Sequence, residues 1–169
     1  MRVGISLTSN HPGVEDPRLG ARLIIERAAA AHRAGLDSLF VGDQHVSSTP
    51  YYQNTPMLGR LLTEWGKAPA GRLFLLPLWH PVLVAEQIGT LAAIAQGPFI
   101  MQCGLGWGEA RFAAMGANIK MRPSAFEEAL DIIRRLLAGE TVSSARRFRI
   151  AEASLALRPG RARRGPDRR

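Results

Sequence analysis

Two short segments hold the residues of this sequence that are best suited to chemistry. Asp43-Gln44-His45 combines a carboxylate with an imidazole, and Gly104-Leu105-Gly106-Trp107-Gly108 is a glycine-rich turn. A histidine titrates near neutral pH and serves as a general acid, a general base or a hydrogen-bond donor. Glycines let the backbone approach a flat or phosphorylated ligand closely. Together the segments indicate a proton-handling group beside a planar or phosphate-bearing ligand.

Each segment also has a structural interpretation that the residues leave open. The glycine-rich turn departs from the dinucleotide-binding fingerprint, because its third glycine comes one residue early and it follows the fourth strand. It is equally compatible with a tight turn between a strand and a helix. His45 is compatible with a loop histidine bonded to a backbone carbonyl, and His80, between Trp79 and Pro81, with a packed turn. No His, Asp or Glu cluster has metal-ligand spacing, and no serine has a nucleophile-elbow pattern, so neither a metal site nor acyl transfer is predicted.

The composition limits the class of protein. The chain has 169 residues, 46% of them hydrophobic and 21% charged, which predicts one globular domain. No run approaches the roughly 20 apolar residues of a membrane span, and the N-terminus has no signal-peptide pattern. The single cysteine, Cys103, excludes an internal disulfide framework. We therefore expect a cytoplasmic protein without a membrane partner.

The net charge of +8 is concentrated at one end of the chain. Residues 158–169 carry six arginines and one aspartate, which leaves +3 for the other 157 residues. This segment has no apolar side chain larger than alanine, so it is predicted to be a disordered tail. It has no aromatic residues for base stacking, so no specific nucleic-acid partner is expected.

Four strands alternate with helices and would position both segments. The predicted strands are residues 2–7, 36–41, 72–76 and 99–103, and the predicted helices are 21–34, 56–65, 81–95 and 124–138. Such alternation predicts an α/β protein with a parallel sheet. The carboxyl ends of its strands meet at one edge, where ligands bind. A doubly wound sheet and a (β/α)8 barrel both remain open on these grounds.

The last predicted helix has the most detailed sequence pattern. Ser124 and Glu127 fit a capping box, which predicts that the helix begins there, and Gly139 predicts its end. Asp131 and Arg135 have the spacing of an outward-facing ion pair. The predicted buried stripe is Phe126, Ala129, Leu130, Ile133 and Leu137. Residues 147–150 alternate and predict a short extra strand.

Three segments in order resemble the bacterial luciferase-like monooxygenase family. They are Val41-Gly42-Asp43-Gln44-His45-Val46, Leu75-Leu76-Pro77-Leu78-Trp79-His80-Pro81 and Gln102-Cys103-Gly104-Leu105-Gly106-Trp107. Residues 122–130, 137–140 and 147–150 resemble the family as well. The resemblance covers about residues 1–157. It implies a (β/α)8 TIM-barrel type fold, truncated here to about four βα units, the N-terminal half of the barrel.

The same resemblance implies a function and a site. The family contains FMN-dependent monooxygenases and coenzyme F420-dependent oxidoreductases, so the implied enzyme acts on a small organic substrate with F420, the favoured cofactor, or FMN. The implied catalytic residue is His45. Family members often carry a histidine at the position of Gln44, so here the imidazole is displaced by one residue. The implied cofactor-binding residues are Asp43, Gln44, Leu75, Leu76, Pro77, Gly104, Gly106 and Trp107.

The resemblance also raises the question of what covers a half barrel. Residues 158–169 do not resemble the family's continuation, and four strands leave two sheet edges exposed. A homodimer, or a separate C-terminal half, would be needed to cover them. The alternative function is a non-catalytic remnant, or interaction module, that pairs with a partner through these exposed edges.

Overall fold

Four parallel strands in chain order form the main sheet of the computed structural model, which describes residues 1–159. The strands are β1 (Gly4–Leu7), β2 (Ser38–Val41), β3 (Ala70–Leu75) and β4 (Phe99–Gly104), in the spatial order β1-β2-β3-β4. A doubly wound sheet would place β1 in the interior of the sheet. The observed order therefore confirms the arrangement of a barrel half. All four carboxyl ends lie at one edge, where Leu7 pairs with Val41 and Leu75 with Gly104.

Helices follow the strands and cover one face of the sheet. They are α1 (Pro17–Arg33), α2 (Asn54–Trp65), α3 (Pro81–Ile94), α4 (Glu109–Ala114) and α5 (Arg122–Ala138), with 3-10 turns at Leu76–Leu78 and Ile119–Met121. The strand and helix predictions are confirmed apart from shifts at their ends, while the short α4 is additional. No helix within residues 1–159 is long and apolar enough to cross a membrane.

The hydrophobic core lies between the sheet and these helices. One buried cluster joins β1 and β2 to α1 and α2, and includes Ile24, Leu39, Leu58 and Trp65. A second joins β3 to α3, α5 and the segment after it, and is built on Phe74, Val84, Ile88, Ile133 and Leu136. Both clusters use alternate strand residues, those that point toward the helices.

The opposite face of the sheet is less covered. Its residues include Ser6, Phe40, Gly71 and Ile100, of which Ser6 and Ile100 are exposed and Phe40 is half-buried. A Cβ on Gly71 would lie 2.0 Å from the carbonyl oxygen of Ile100 and 2.8 Å from a carbon of the Phe40 ring. A glycine is therefore required there, because the Phe40 ring lies across this face. The face corresponds to the interior of a closed barrel.

The predicted capping box at Ser124 is wrong. Helix α5 begins two residues earlier at Arg122, and its N-cap residue, Met121, makes no side-chain capping bond. The Ser124 hydroxyl instead donates to the Met121 carbonyl at 3.1 Å. Pro123 explains the shift, because proline in the first helical turn needs no hydrogen-bond acceptor. The end of the helix is confirmed, since Gly139 has the left-handed φ of 94°.

The buried face of α5 is also rotated relative to the predicted stripe. Phe126, Leu130 and Leu137 are only half-buried. The buried residues of the helix are Glu128, Ala129, Ile132, Ile133 and Leu136. The expected ion pair on the outer face is confirmed, with Asp131 and Arg135 3.9 Å apart.

Glu128 holds an antiparallel hairpin against α5. The hairpin consists of β5 (Val142–Ala145) and β6 (Arg149–Ala153), so the predicted strand at 147–150 only overlaps its second strand. The Glu128 carboxylate accepts from the Ser144 hydroxyl at 2.7 Å and from the backbone N–H groups of Arg147 and Phe148 at 3.1 and 3.4 Å. Burial alone would raise the pKa of Glu128, but these donors outweigh it and lower the pKa.

The prediction of a disordered tail falls almost entirely outside the described residues. Arg158 and Pro159 are the only residues of the 158–169 segment that the structure describes.

Candidate functional site

A buried carboxylate, Asp43, lies just beyond the carboxyl end of β2. Its Oδ2 accepts the backbone N–H of Leu75 and the indole N–H of Trp79, both at 2.8 Å. Leu75 ends β3, and Trp79 follows the 3-10 turn after that strand. The carboxylate therefore bridges the ends of two neighbouring strands, and only 9% of Asp43 is exposed.

His45 lies beside this carboxylate and is also buried. Its Nε2 is 3.3 Å from Oδ1 of Asp43, although the two atoms are not aligned as a hydrogen bond. The imidazole ring meets the Trp79 ring edge-on, with 5.2 Å between ring centroids. Burial alone would raise the pKa of Asp43, but the imidazole and the Leu75 and Trp79 donors outweigh it and lower the pKa. Asp43 is consequently ionised at neutral pH, next to a group that can carry a proton.

A third charged residue, Arg72 of β3, lies beside Trp79, and it was not among the predicted site residues. Together Asp43, His45, Trp79 and Arg72 form what we call the Asp43 network. The Arg72 side chain is completely buried, with the guanidinium carbon 3.6 Å from the centroid of the Phe74 ring and 5.2 Å from that of Trp79. Its Nη1 donates to Oε1 of Gln87 at 3.1 Å. Burial lowers the pKa of Arg72 to about 10, with Asp43 and Tyr51 acting in the opposite direction. Arg72 is therefore still a cation at neutral pH.

The loops that follow β1 and β2 pair with each other at the same edge. Asn10 and Tyr51 form an antiparallel bridge, and the backbone N–H of His11 donates to the Pro50 carbonyl at 3.1 Å. The Thr49 hydroxyl donates to Oδ1 of Asn10 at 2.6 Å. These contacts fix the two loops beside Asp43 and His45.

Several buried polar atoms near this edge have no hydrogen-bond partner within the described residues. They are Ser9 Oγ, His11 Nε2, Asp43 Oδ1, His45 Nε2, Asn54 Oδ1 and Arg72 Nη2. A buried polar atom without a partner costs free energy, so native structures usually satisfy such atoms with protein, water or ligand. These atoms lie around the carboxyl ends of β1 and β2, within β3 and at the start of α2.

The glycine-rich turn contacts the same edge through Leu75. Gly104 pairs with Leu75, and a Cβ on Gly104 would lie 3.0 Å from a methyl carbon of that leucine. Gly106 has a left-handed φ of 73°, and its missing Cβ would point at the Phe112 ring, 3.2 Å away. The fold itself therefore requires glycine at 106, independently of any ligand. Trp107 is 75% exposed, with the Arg111 guanidinium 5.1 Å from its ring.

The remaining predicted site residues have different surroundings. Gln44 is half-buried, and its side chain donates to the Ser47 hydroxyl at 3.0 Å. Leu76 is fully buried in the second core cluster, and Pro77 is buried as well. The structure thus brings Asp43, His45, Leu75 and the glycine-rich turn together, whereas Leu76 packs in the core.

Sequence reasoning missed Arg72 and Trp79 as parts of this network. Both were visible, Arg72 as the charge that opens the predicted strand RLFLL and Trp79 as the neighbour of His80. A charged residue is almost never fully buried without a partner, so an arginine within a predicted buried strand is a usable signal.

The edge has the chemistry that a planar redox cofactor requires. The paired ends of β3 and β4 place the apolar side chain of Leu75 and the backbone of Gly104 at this edge, and the polar pair Asp43 and His45 lies directly behind Leu75. The residues therefore fit a flavin-like ring. Within residues 1–159, no three His, Cys, Asp or Glu side chains converge as a metal site.

A cavity of about 600 Å³ lies elsewhere, between α5 and the hairpin. Its wall carries charges of both signs, among them Glu127, Asp131 and Arg146, and none of the predicted site residues lines it. Opposite charges in one wall can neutralise each other, so the cavity has no clear preference for an ionic ligand.

The comparisons with known proteins agree on one family. The family model described as luciferase-like monooxygenase matches residues 1–166. The chain is similar to 4-hydroxyprotoasukamycin monooxygenase of Streptomyces nodosus subsp. asukaensis, with 29% identity over 167 residues, 94% of this chain and 44% of that protein. It is also similar to the F420-dependent glucose-6-phosphate dehydrogenase of Beutenbergia cavernae, with 30% identity over 131 residues, 72% of this chain and 39% of that protein.

Solved structures show the same fold. A monooxygenase from Streptomyces bottropensis superposes with a TM-score of 0.83 at 18% identity, over 96% of this chain and 51% of that one. The oxygenating constituent of 3,6-diketocamphane monooxygenase from Pseudomonas putida, solved with FMN, gives a TM-score of 0.75 at 20% identity, over 88% of this chain and 42% of that one. The chain thus spans less than half the length of the curated relatives described above and matches an N-terminal portion of their fold.

Proposed function

Because the chain belongs to the luciferase-like monooxygenase family, we propose that it forms the N-terminal part of a flavin- or coenzyme F420-dependent oxidoreductase. The enzyme acts on a small organic substrate at the carboxyl edge of the β1–β4 sheet. The observation that carries this proposal is the buried Asp43–His45 pair, whose facing atoms lie 3.3 Å apart and have no hydrogen-bond partner within the described residues.

His45 is the residue proposed to hold and move a proton. Its Nε2 lies 3.3 Å from Oδ1 of the ionised Asp43 carboxylate. Asp43 is itself fixed by the Leu75 and Trp79 donors. The imidazole is thus oriented by a rigid partner, as a general acid or base requires.

The cofactor would lie against Leu75, Gly104 and the glycine-rich turn. When bound, FMN or coenzyme F420 supplies the redox chemistry, and the protein supplies orientation and exclusion of water. The exposed Trp107 with its stacked Arg111 offers a further flat surface at the rim of this site. Of the two cofactors we favour F420, because residues 43–45 and 75–81 resemble that branch of the family more closely.

A fluorescence titration of the chain with FMN and with F420 tests this proposal. We expect saturable binding of one cofactor, with NMR shift changes at the amides of Leu75 and Gly104. His45→Ala is expected to weaken binding or to slow cofactor oxidation and reduction. His80→Ala is the matched control, because His80 is exposed and contacts Phe148 rather than the Asp43 network. Absence of saturable binding of either cofactor at millimolar concentration would refute the proposal.

The second candidate function is an interaction module that pairs through the sheet edges. The observation that favours it is that β1 and β4 each have only one neighbouring strand within the described residues, so each leaves an outer backbone edge unpaired. The two functions differ in one measurement, since an interaction module without a cofactor site shows no shift changes at Leu75 and Gly104 when FMN or F420 is added.

A further inference from the structure

We propose that Arg72 is a positioning residue for the Asp43–His45 pair, acting through the Trp79 indole and through its own positive charge. This inference deepens the proposed function and rests on it for the role of His45. The structural link between Arg72 and the pair, however, can be tested without any cofactor.

Arg72 is a fully buried cation. Arg72 has no exposed surface, and its Nη2 lacks a hydrogen-bond partner within the described residues. Its hydrogen bonds are one to Gln87 at 3.1 Å and a long contact from Nε to the Leu73 carbonyl at 3.5 Å. Burying a charge costs much free energy unless it is well compensated. A residue held so incompletely is therefore poorly explained by packing alone.

The guanidinium of Arg72 also lies against two aromatic rings. Its central carbon is 3.6 Å from the Phe74 ring centroid and 5.2 Å from the Trp79 ring centroid. Phe74 and Trp79 also meet edge-on, with centroids 5.7 Å apart. Cation–π attraction at this range is significant in a desolvated site. Arg72 and Phe74 thus restrict the Trp79 ring from one side, while His45 contacts it as well.

The Trp79 indole in turn orients the Asp43 carboxylate through a hydrogen bond. The Trp79 Nε1 donates to Oδ2 of Asp43 at 2.8 Å, and Oδ1 of the same group faces His45. A tilt of the indole would therefore move or free one of the two donors that orient the carboxylate. The chain of contacts runs from Gln87 through Arg72, Trp79 and Asp43 to His45.

Arg72 also acts through its positive charge. The ionisable groups that act on one another here are Asp43, His45, Tyr51 and Arg72. Removal of the Arg72 cation raises the proton affinity of every neighbouring group, because a positive charge disfavours protonation nearby.

Two substitutions separate the two effects of Arg72. Arg72→Met removes both the positive charge and the planar guanidinium group. Arg72→Lys keeps the charge and removes only the planar group. We expect Arg72→Met to move the His45 NMR titration midpoint to higher pH and Arg72→Lys to leave it near that of the unaltered protein. Both variants should shift the Trp79 indole N–H resonance, because its hydrogen-bond geometry depends on the stacked plane.

Two control variants show whether loss of any arginine, or any loss of stability, is enough to change these signals. Arg60→Met removes an exposed arginine of α2, and Leu58→Ala destabilises the first core cluster away from the network. Neither is expected to move the His45 midpoint or the Trp79 N–H resonance. If Arg72→Met does not fold, Arg72→Gln, which also removes the charge but keeps a planar polar group, replaces it in the His45 titration.

The proposal is overturned if the folded Arg72→Met protein keeps the His45 midpoint, or if Arg72→Lys keeps the Trp79 resonance. Both results are independent of cofactor binding. Failure of the titration with FMN and F420 would therefore refute the proposed function while leaving the role of Arg72 measurable.

Discussion

Replacement of Asp43 by alanine is expected to be severely destabilising. The carboxylate is the acceptor for two buried donors, the Leu75 backbone N–H and the Trp79 indole N–H, each at 2.8 Å. Hydrogen bonds to charged groups contribute about 1.5–3 kcal/mol each. Because removal of the carboxylate also removes its own desolvation cost, we expect Asp43→Ala to lower the free energy of unfolding by about 3–4 kcal/mol.

Asp43→Asn is the informative companion because it keeps the size of the side chain. Its amide oxygen can still accept from the Leu75 and Trp79 N–H groups. The lost free energy of unfolding therefore reflects mainly the removal of the negative charge. We expect a cost of about 1–2 kcal/mol at pH 7. Asp131→Asn is the matched control, because Asp131 is exposed and its ion pair with Arg135 is 3.9 Å long. It should leave the stability of the protein unchanged.

The pH dependence gives the sharper test. The pKa of Asp43 is lower in the folded chain than its ordinary value. Its contribution to stability is therefore complete above the unfolded pKa of about 3.9 and is lost as the pH falls through the lower folded value. Urea unfolding gives the free energy of unfolding of the unaltered protein and of Asp43→Asn. The difference between these two free energies should be full near neutral pH and should shrink below about pH 4. A difference that is equal at both pH values, or an Asp43→Ala cost below about 1 kcal/mol, would refute the reasoning.

Four further predictions concern the rest of the chain. Gly71→Ala should lower the free energy of unfolding by more than about 3 kcal/mol or abolish folding, because the new Cβ would lie 2.0 Å from the Ile100 carbonyl oxygen. Gly59→Ala in α2 is the control, and it should raise the melting temperature because the space around Gly59 is open. Val46→Asn should stabilise the protein by about 0.5–1 kcal/mol in urea unfolding, since Val46 is exposed and has a φ of 49° that asparagine adopts more readily. Glu128→Gln should speed amide exchange at Arg147, and this effect should fade as the pH falls through the lowered pKa of Glu128. A homodimer, one of the two ways of covering the sheet edges, remains a prediction: if it forms, light scattering after size-exclusion chromatography gives twice the 18.4 kDa chain mass.

The order of strands and helices could be predicted because each has its own hydrophobic period. Alternation marks strands, and spacings of three and four mark helices. The proximity of Asp43 to Gly104 also followed, because parallel strands end at one edge. What the sequence could not give is the orientation of individual side chains, which depends on neighbours from distant segments.

Helix α5 illustrates that limit. Its most hydrophobic residues, such as Phe126 and Leu130, predicted one stripe, yet the buried face contains Glu128. A carboxylate is placed on the exposed side by any hydrophobicity rule. It is buried here because three donors from the hairpin satisfy it, and those donors come from residues 16 to 20 positions away.

Arg72 illustrates the same limit at the site. Arg72 was expected at the start of a strand, whereas it lies inside β3 with its side chain fully buried. Its burial depends on Gln87 from α3 and on two aromatic rings, a set of contacts that exists only once the chain has folded.

The bridge between Asn10 and Tyr51 bears on the thermodynamics of ligand capture. The loops after β1 and β2 are already joined by backbone hydrogen bonds, such as that from the Tyr52 N–H to the Ser9 carbonyl at 3.0 Å. A ligand arriving at this side of the edge has few backbone torsions left to immobilise, so the entropic penalty of binding is small there. Its association rate is then limited by diffusion and orientation rather than by the ordering of a loop.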